Sequence, residues 1–419
     1  MARVALPLLL LVAVLALPGS AGAATSWVDP AGGSDRASGT SRDRALKTLA
    51  TAWRRARGPT RILITEGRLK PEDVPNYYEL KRHVTIEGRG QVALPSMNIF
   101  GVRRLALRNL TVNGDVHCER CRGLRLDKVR INGAGRVQEG LKVNQSSHVT
   151  IERSDISGAS DNAIDFVAVQ HALIRSNRIH GAEDWCAYAK GGSAYIRVVA
   201  NRIYDCGTGG FTAGQGTGFQ FMTFPWIRYE AYDVRVWNNL ITDTEGAGLG
   251  VNGGFNVLFA RNTLRRVGSR SHAIEAVFGL RSCDGQPGDE GRDRCRTYLD
   301  RGGWGTTRVD DGTNPVRIPN RHIFFYDNVI SRARGSAPFE VADSFSGSPQ
   351  DGSGAADPAR ADGDLRRVGN VFSGTRSSGP AHPLPSFDWR GAGLGAPRPG
   401  SLSNRRLPGM PTGAGSTLR

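Results

Sequence analysis

The chain has 419 residues, with 55 Lys and Arg against 39 Asp and Glu, a formal charge of +16. That length holds one large domain or two ordinary ones. The arginines are scattered rather than clustered, and no recognised DNA- or RNA-binding motif occurs, so nucleic acid is not an expected partner. A basic chain of this kind favours polyanions, an acidic polysaccharide or anionic cell-surface polymer among them.

The N-terminus opens with a short positive stretch, Met1 to Arg3. An apolar run from Leu6 to Leu17 follows, then Ala21-Gly22-Ala23 as a cleavage site. Residues 1–23 read as a secretory signal peptide, and no later stretch approaches the ~20 apolar residues of a membrane span. The expectation is a secreted, extracellular protein, a monomer, whose six cysteines form disulfides. Residues 27–60 read as an N-terminal cap: a strand, a polar loop and a helix near 46–56. "RILITEG" then supplies the first rung.

From there the chain repeats. "LTVNG" (110–114), "VRING" (129–133), "SDISG" (154–158), "NRIHG" (177–181), "NRIYD" (201–205), "NLITD" (239–243), "NTLRR" (262–266), "NVISR" (328–332) and "NVFSG" (370–374) recur with regular steps near 23 residues. The larger steps read as a coil plus an insertion, or as several coils whose signature has decayed. Each unit carries short alternating strands and no helix-length apolar stripe. Units this short cannot bury an apolar face alone and must stack. The predicted fold is all-β: a right-handed parallel β-helix over 24–374, with an N-terminal capping helix. Insertions are expected at about 207–232 and 281–320, and a disordered tail over 375–419.

Stacking places residues about 23 apart in sequence ~4.8 Å apart in space. Aligning "EGLKVNQ" (139–145), "NAIDFVA" (162–168) and "CAYAKGG" (186–192), the last with a one-residue shift, turns Lys142, Asp165 and Lys190 outward from adjacent rungs. Further along, Gly250 is bare and Glu275 follows. Gly191 and Gly192 are expected to leave room for a ligand beside Lys190. Cys186 and Cys206 lie nearly one coil apart, a separation that suits a disulfide. Cys283 and Cys295 bracket one loop. Cys118 and Cys121 read as structural, because no second pair has zinc-like spacing and no βαβ context surrounds them.

"SDNAIDF" (160–166) followed one coil later by "YAKGGS" (188–193) resembles the calcium- and lysine-dependent pectate lyases of polysaccharide lyase family nine. That family carries a D-D-G-F-D-type calcium cluster and an F-K-L-G-G-type segment with its base. The resemblance implies Lys190 as catalytic base and Asp161, Asn162 and Asp165 as metal ligands, with Glu139 where the family supplies a further aspartate. Calcium is the implied cofactor. In β-elimination on a uronan, a proton is removed α to a carboxylate whose growing charge must be neutralised. A lysine serves as base only when neutral, and nearby positive charge or desolvation lowers its pKa.

The first insertion offers Trp226, Arg228 and Tyr229, and the segment after 266 offers Arg270, His272 and Glu275. With Lys142, these are the candidate substrate-binding residues, aromatic faces for sugars and cations for carboxylates. The leading expectation is a lyase acting on an acidic polysaccharide, with a uronan C5-epimerase as a variant. A glycoside hydrolase, which needs two carboxylates flanking one bond, and a non-catalytic carbohydrate- or cell-surface-binding β-helix remain alternatives.

Overall fold

The structure, a computed structural model, describes residues 23–225, 227–270, 273–283, 288–300, 307–308, 316–331, 365–368 and 370–373. The expected signal peptide up to residue 22 and the expected disordered tail lie outside the described residues. Among the described residues, no helix is long and apolar enough to cross a membrane.

Nearly all strands join one continuous ladder of parallel pairs, each strand hydrogen-bonded to its equivalent one coil before and one coil after. This is a parallel β-helix with three faces. The first face, the site sheet, runs through Leu141–Asn144, Ile164–Val167, Trp185–Lys190, Gly209–Gly214, Ala247–Asn252 and Ile274–Val277. A second sheet runs through Ser147–Glu152, Gln170–Arg175, Ser193–Val199, Ala231–Trp237, Gly254–Ala260 and Arg321–Tyr326. The third carries the repeated signature, with Asp155–Ala159, Arg178–Ala182, Arg202–Cys206, Leu240–Thr244 and Thr263–Arg265 in register.

The signature asparagines explain why the repeat is visible. Asn177, Asn201, Asn239, Asn262, Asn328 and Asn370 form a ladder inside the turn, each side-chain oxygen accepting from the backbone N–H and amide of the preceding one at 2.9–3.0 Å. Each described amide nitrogen of the ladder also donates to a backbone carbonyl of the preceding coil, as Asn201 does to Ile174. These groups are satisfied by one another and by backbone one coil away, so the ladder forces the coils into register. Because Thr263 pairs with Val329, the 66-residue step is a single coil with an insertion, not several decayed coils.

Alternation places one side of every strand in a single apolar core running the length of the stack, from Val28 and Ile62 to Phe325 and Ile330. Helix Leu49–Arg55 closes one end: Thr48 accepts from the Thr51 N–H as its N-cap, and Leu49, Ala52 and Trp53 join the core. Below "RILITEG", strand Ala24–Val28 already pairs in parallel with Thr60–Ile64.

All three disulfides pair neighbours: Cys118–Cys121, Cys186–Cys206 and Cys283–Cys295. The first insertion begins later than its sequence implied, because Gly209–Gly214 is still a regular site-sheet strand. The two insertions meet in a small separate sheet, where Gly216–Gly218 pairs with Gly279–Ser282, which pairs with Val316–Ile318. Phe219, Met222, Cys295, Val316 and Ile318 form its own core. The second insertion also contains a helix, Gly288–Asp300.

Candidate functional site

The register of the site sheet decides which outward side chains meet. His117 pairs with Lys142, Lys142 with Asp165, Asp165 with Tyr188 and Tyr188 with Thr212. These residues form one outward column. Lys190 pairs with Val167 and belongs to the next column on the same face. The alignment expected from sequence, with Lys190 stacked on Asp165, is therefore off by two residues. A slip of two keeps a side chain on its face and moves it one column, so Lys190 remains outward, beside Tyr188 rather than in its place.

Lys142 donates to Glu139 and lies 3.3 Å from Asp165 Oδ2. Burial alone would lower its pKa, but the Asp165 and Glu139 carboxylates outweigh burial and hold it above the ordinary lysine value. Asp165 is 1% exposed, and burial raises its pKa against the pull of Lys190 and Lys142. Lys190 sits 4.3 Å from the centroid of the Tyr188 ring and donates to Gln215 Oε1 at 2.9 Å. Burial pushes its pKa below the ordinary value, Asp165 opposes that shift, and the charge of Lys142 adds to it. The Tyr188 phenol, 3% exposed, is held strongly protonated by burial and by Asp165 and Asp161. The site thus pairs a lysine biased toward the free amine with a tyrosine biased toward the phenol.

The scaffold around Lys190 is fixed. Glu230, fully buried, accepts from the Gly191 N–H at 2.9 Å and from Thr217 Oγ1 at 2.8 Å, and is ion-paired with the fully buried Arg281. Gly191 and Gly192 have φ of +68° and +80°. A Cβ on Gly191 would stand 2.8 Å from Val167 Cγ1, and one on Gly192 3.3 Å from Ile227 Cβ. The space expected there for a ligand is filled by Val167 of the adjacent rung and by Thr217 and Ile227 of the insertion, and the two glycines serve a left-handed turn and close packing. Gly250 likewise seats the Trp185 indole, whose Cη2 would be 2.6 Å from a Cβ. Trp185 in turn packs on Tyr188 and Ala247.

The structure brings Glu139, Lys142, Asp161, Asp165 and Lys190 together. Asp161 accepts from Gln138 Nε2 at 3.3 Å, and burial and Asp184 raise its pKa. Asn162 is fully buried, its amide donating to the Trp185 carbonyl at 2.9 Å and to Asp184 at 3.3 Å. Glu275 reaches the end of the column through Asn252, which accepts from Thr212. Tyr229 packs against the small insertion core and on Phe255; Arg228, half-buried, belongs to the same insertion. Arg270 pairs with Glu245 at 2.8 Å, in a cavity lined by third-sheet residues such as Asp205 and Asp243, away from Lys190. Trp226 and His272 lie outside the described residues.

The donors expected for calcium do not fit that ion. Calcium takes six to eight oxygen ligands. Glu139 and Asp165 Oδ2 already hold the Lys142 ammonium. Asn162 Oδ1 and Asp165 Oδ1 are buried without a partner, and with both oxygens of Asp161 and the second of Glu139 the expected donors not holding Lys142 still number fewer than six. Among the described residues, no three His, Cys, Asp or Glu side chains are arranged to hold a metal. The Lys142 ammonium occupies two of the four expected donors, Glu139 and Asp165.

Sequence reasoning missed Tyr188, Gln215, Glu230 and His117, which lies 3.4 Å from Asn144. Tyr188 was legible in principle, as the residue 23 positions after Asp165, the same step that separates Lys142 from Asp165.

The family described as right handed beta helix region matches residues 114–279, the segment that holds these columns. No curated protein sequence matches the chain. Among solved structures, the A-module of mannuronan C-5 epimerase AlgE4 from Azotobacter vinelandii is similar at 12% identity, over 80% of this chain and 94% of that one, with a TM-score of 0.49. Pectate lyase Pel9A is similar at 12% identity over 91% and 83%, TM-score 0.44. A rhamnogalacturonan lyase is similar at 10% identity over 83% and 87%, TM-score 0.43.

Proposed function

We propose that this right-handed β-helix protein is a lyase that cleaves a uronate-containing polysaccharide by β-elimination, with Lys190 as the base. The observation that carries the reading is the juxtaposition of a half-buried lysine, biased toward its neutral amine, with the Lys142 ammonium and the Tyr188 phenol. An ammonium has three donors. Two are committed to Glu139 and Asp165, which leaves the third for the carboxylate of the substrate. That contact neutralises charge developing on the carboxylate as the C5 proton leaves.

In the proposed step, the Lys190 amine takes the C5 proton. The electron pair forms the C4–C5 double bond, and the C4–O bond to the leaving chain breaks. The leaving oxygen takes a proton from Tyr188, which solvent restores. Lys190, now an ammonium, releases its proton to solvent. The three disulfides accord with an oxidising compartment, where extracellular polysaccharide is met.

A second reading, C5 epimerisation, is favoured by Tyr188 itself, because a second proton-carrying group beside the base could return a proton to C5 from another direction. Incubation with polygalacturonate, alginate, glucuronan and chondroitin in deuterated buffer tests both. Ultraviolet absorbance of unsaturated uronate ends supports the lyase. Deuterium at C5 without that absorbance supports the epimerase, and neither signal on any of the four contradicts both readings.

A further inference from the structure

We propose that the protein holds acidic polysaccharide at a second, non-catalytic surface, along the edge where the turns enter the second sheet. The substrate class rests on the function proposed above; the surface itself rests on its own residues. Arg82, Arg103 and Arg122 pair in register on three successive rungs, and all three are exposed. Like charges directly opposite one another destabilise a sheet. Several arginines elsewhere on the coil are compensated: Arg61 pairs with Glu87, Arg125 and Arg175 with Glu152, Arg153 with Asp127 and Arg266 with Asp243. Among the described residues, no carboxylate pairs with Arg82, Arg103, Arg122 or the adjacent Arg104.

These arginines line a surface cavity of about 470 Å³ with His83, Gly123 and His148. Its floor is built in. Gly123 has φ +82°, and a Cβ there would stand in tight contact with Arg104 Cα and Cγ at 3.3 Å. The Cys118–Cys121 disulfide brackets the turn just before Arg122, and the Cys121 N–H is tied to Ser146 Oγ at 2.9 Å. A staple in this position fixes an arginine for binding before the ligand arrives, which limits the ordering cost.

The same edge continues as exposed rings on the next three rungs. His148 and His171 lie 5.2 Å apart, and His171 stacks on Tyr195 at 4.7 Å. A run of cations passing into a run of exposed rings suits a chain whose units carry both a carboxylate and a pyranose face. The rung spacing, ~4.8 Å, is of the order of one sugar unit. A polymer with anionic groups but no apolar ring faces would use only the arginines.

The test compares the full chain with R103A/R122A and with Y195A, by affinity electrophoresis in gels containing each of the four uronans. The arginines and Tyr195 are exposed, so an unchanged thermal midpoint is the control for folding. Binding at least about tenfold weaker in R103A/R122A, and also weakened in Y195A, is the expected result. Retained rates on short uronate oligosaccharides would place the effect outside the Lys190 site. Absence of polymer binding by the parent protein, or unchanged binding in R103A/R122A, would overturn the proposal. So would binding of double-stranded DNA as tight as that of the best uronan. Because binding is read without turnover, failure of the catalytic reading leaves this result interpretable.

Discussion

Lys142 reaches across one rung to Asp165, its Nζ 3.3 Å from Oδ2, and the same ammonium is held by Glu139. This contact sets the charge felt by Lys190, whose pKa burial and Lys142 lower and Asp165 raises. A neutral base gives activity that rises with pH, with a midpoint below the ordinary lysine value of 10.5. Lys142→Met removes the repelling charge and should move that midpoint to higher pH, with kcat/KM falling about 10²–10³-fold. Asp165→Asn removes an attracting charge and should move it to lower pH. A pH–rate profile of each variant measures both directions.

Tyr188→Phe keeps the ring that packs on Trp185 and removes only the hydroxyl. It should lower kcat by about 10²–10⁴-fold, as expected for loss of a general acid. KM and the thermal midpoint should stay close to those of the parent. Steady-state kinetics together with a thermal melt separate this outcome from misfolding.

Activity should persist in excess chelator, because Lys142 rather than a metal neutralises the acidic cluster. Rates measured before and after chelation, and after addition of calcium, read this directly. Loss on chelation with recovery on calcium would return the metal to the mechanism.

Much of the fold was legible because the ladder asparagines Asn177 to Asn370 repeat at the head of the last six signatures, where a buried amide must bond its counterpart one coil away. The outward face of Lys142, Asp165 and Lys190 was legible too, from the two-residue period of a strand. The column was not. Register in "CAYAKGG" depends on which alanine is buried, and Ala187 and Ala189 are both fully buried. The roles of Gly191, Gly192 and Gly250 were also hidden. What fills the space beside them, Ile227 and Trp185, comes from an insertion and from a neighbouring position that no local pattern reveals.

The asparagine ladder predicts a stability effect remote from the site. Asn201 accepts from Asn177 and donates to Ile174 and Asn239. Asn201→Ala strands several buried groups at about 1–3 kcal/mol each. The urea midpoint should fall markedly, while activity well below the transition is retained.

Glu230→Gln should act on both stability and rate. It leaves Arg281 buried without its counter-charge, a loss of about 3–5 kcal/mol, and sets the amide NH2 against Arg281, which disturbs the side chain that holds the turn after Lys190. A lower thermal midpoint together with a reduced kcat is the expected pair of results.

The central claim is that Lys190 removes the C5 proton, and the most direct measurement is the rate of unsaturated-uronate formation by Lys190→Ala on the polymer the parent protein cleaves. The account predicts a loss of about 10²–10⁴-fold, with polymer binding retained and partial recovery when a small primary amine is added. A variant that keeps a rate within a few-fold of the parent would contradict it.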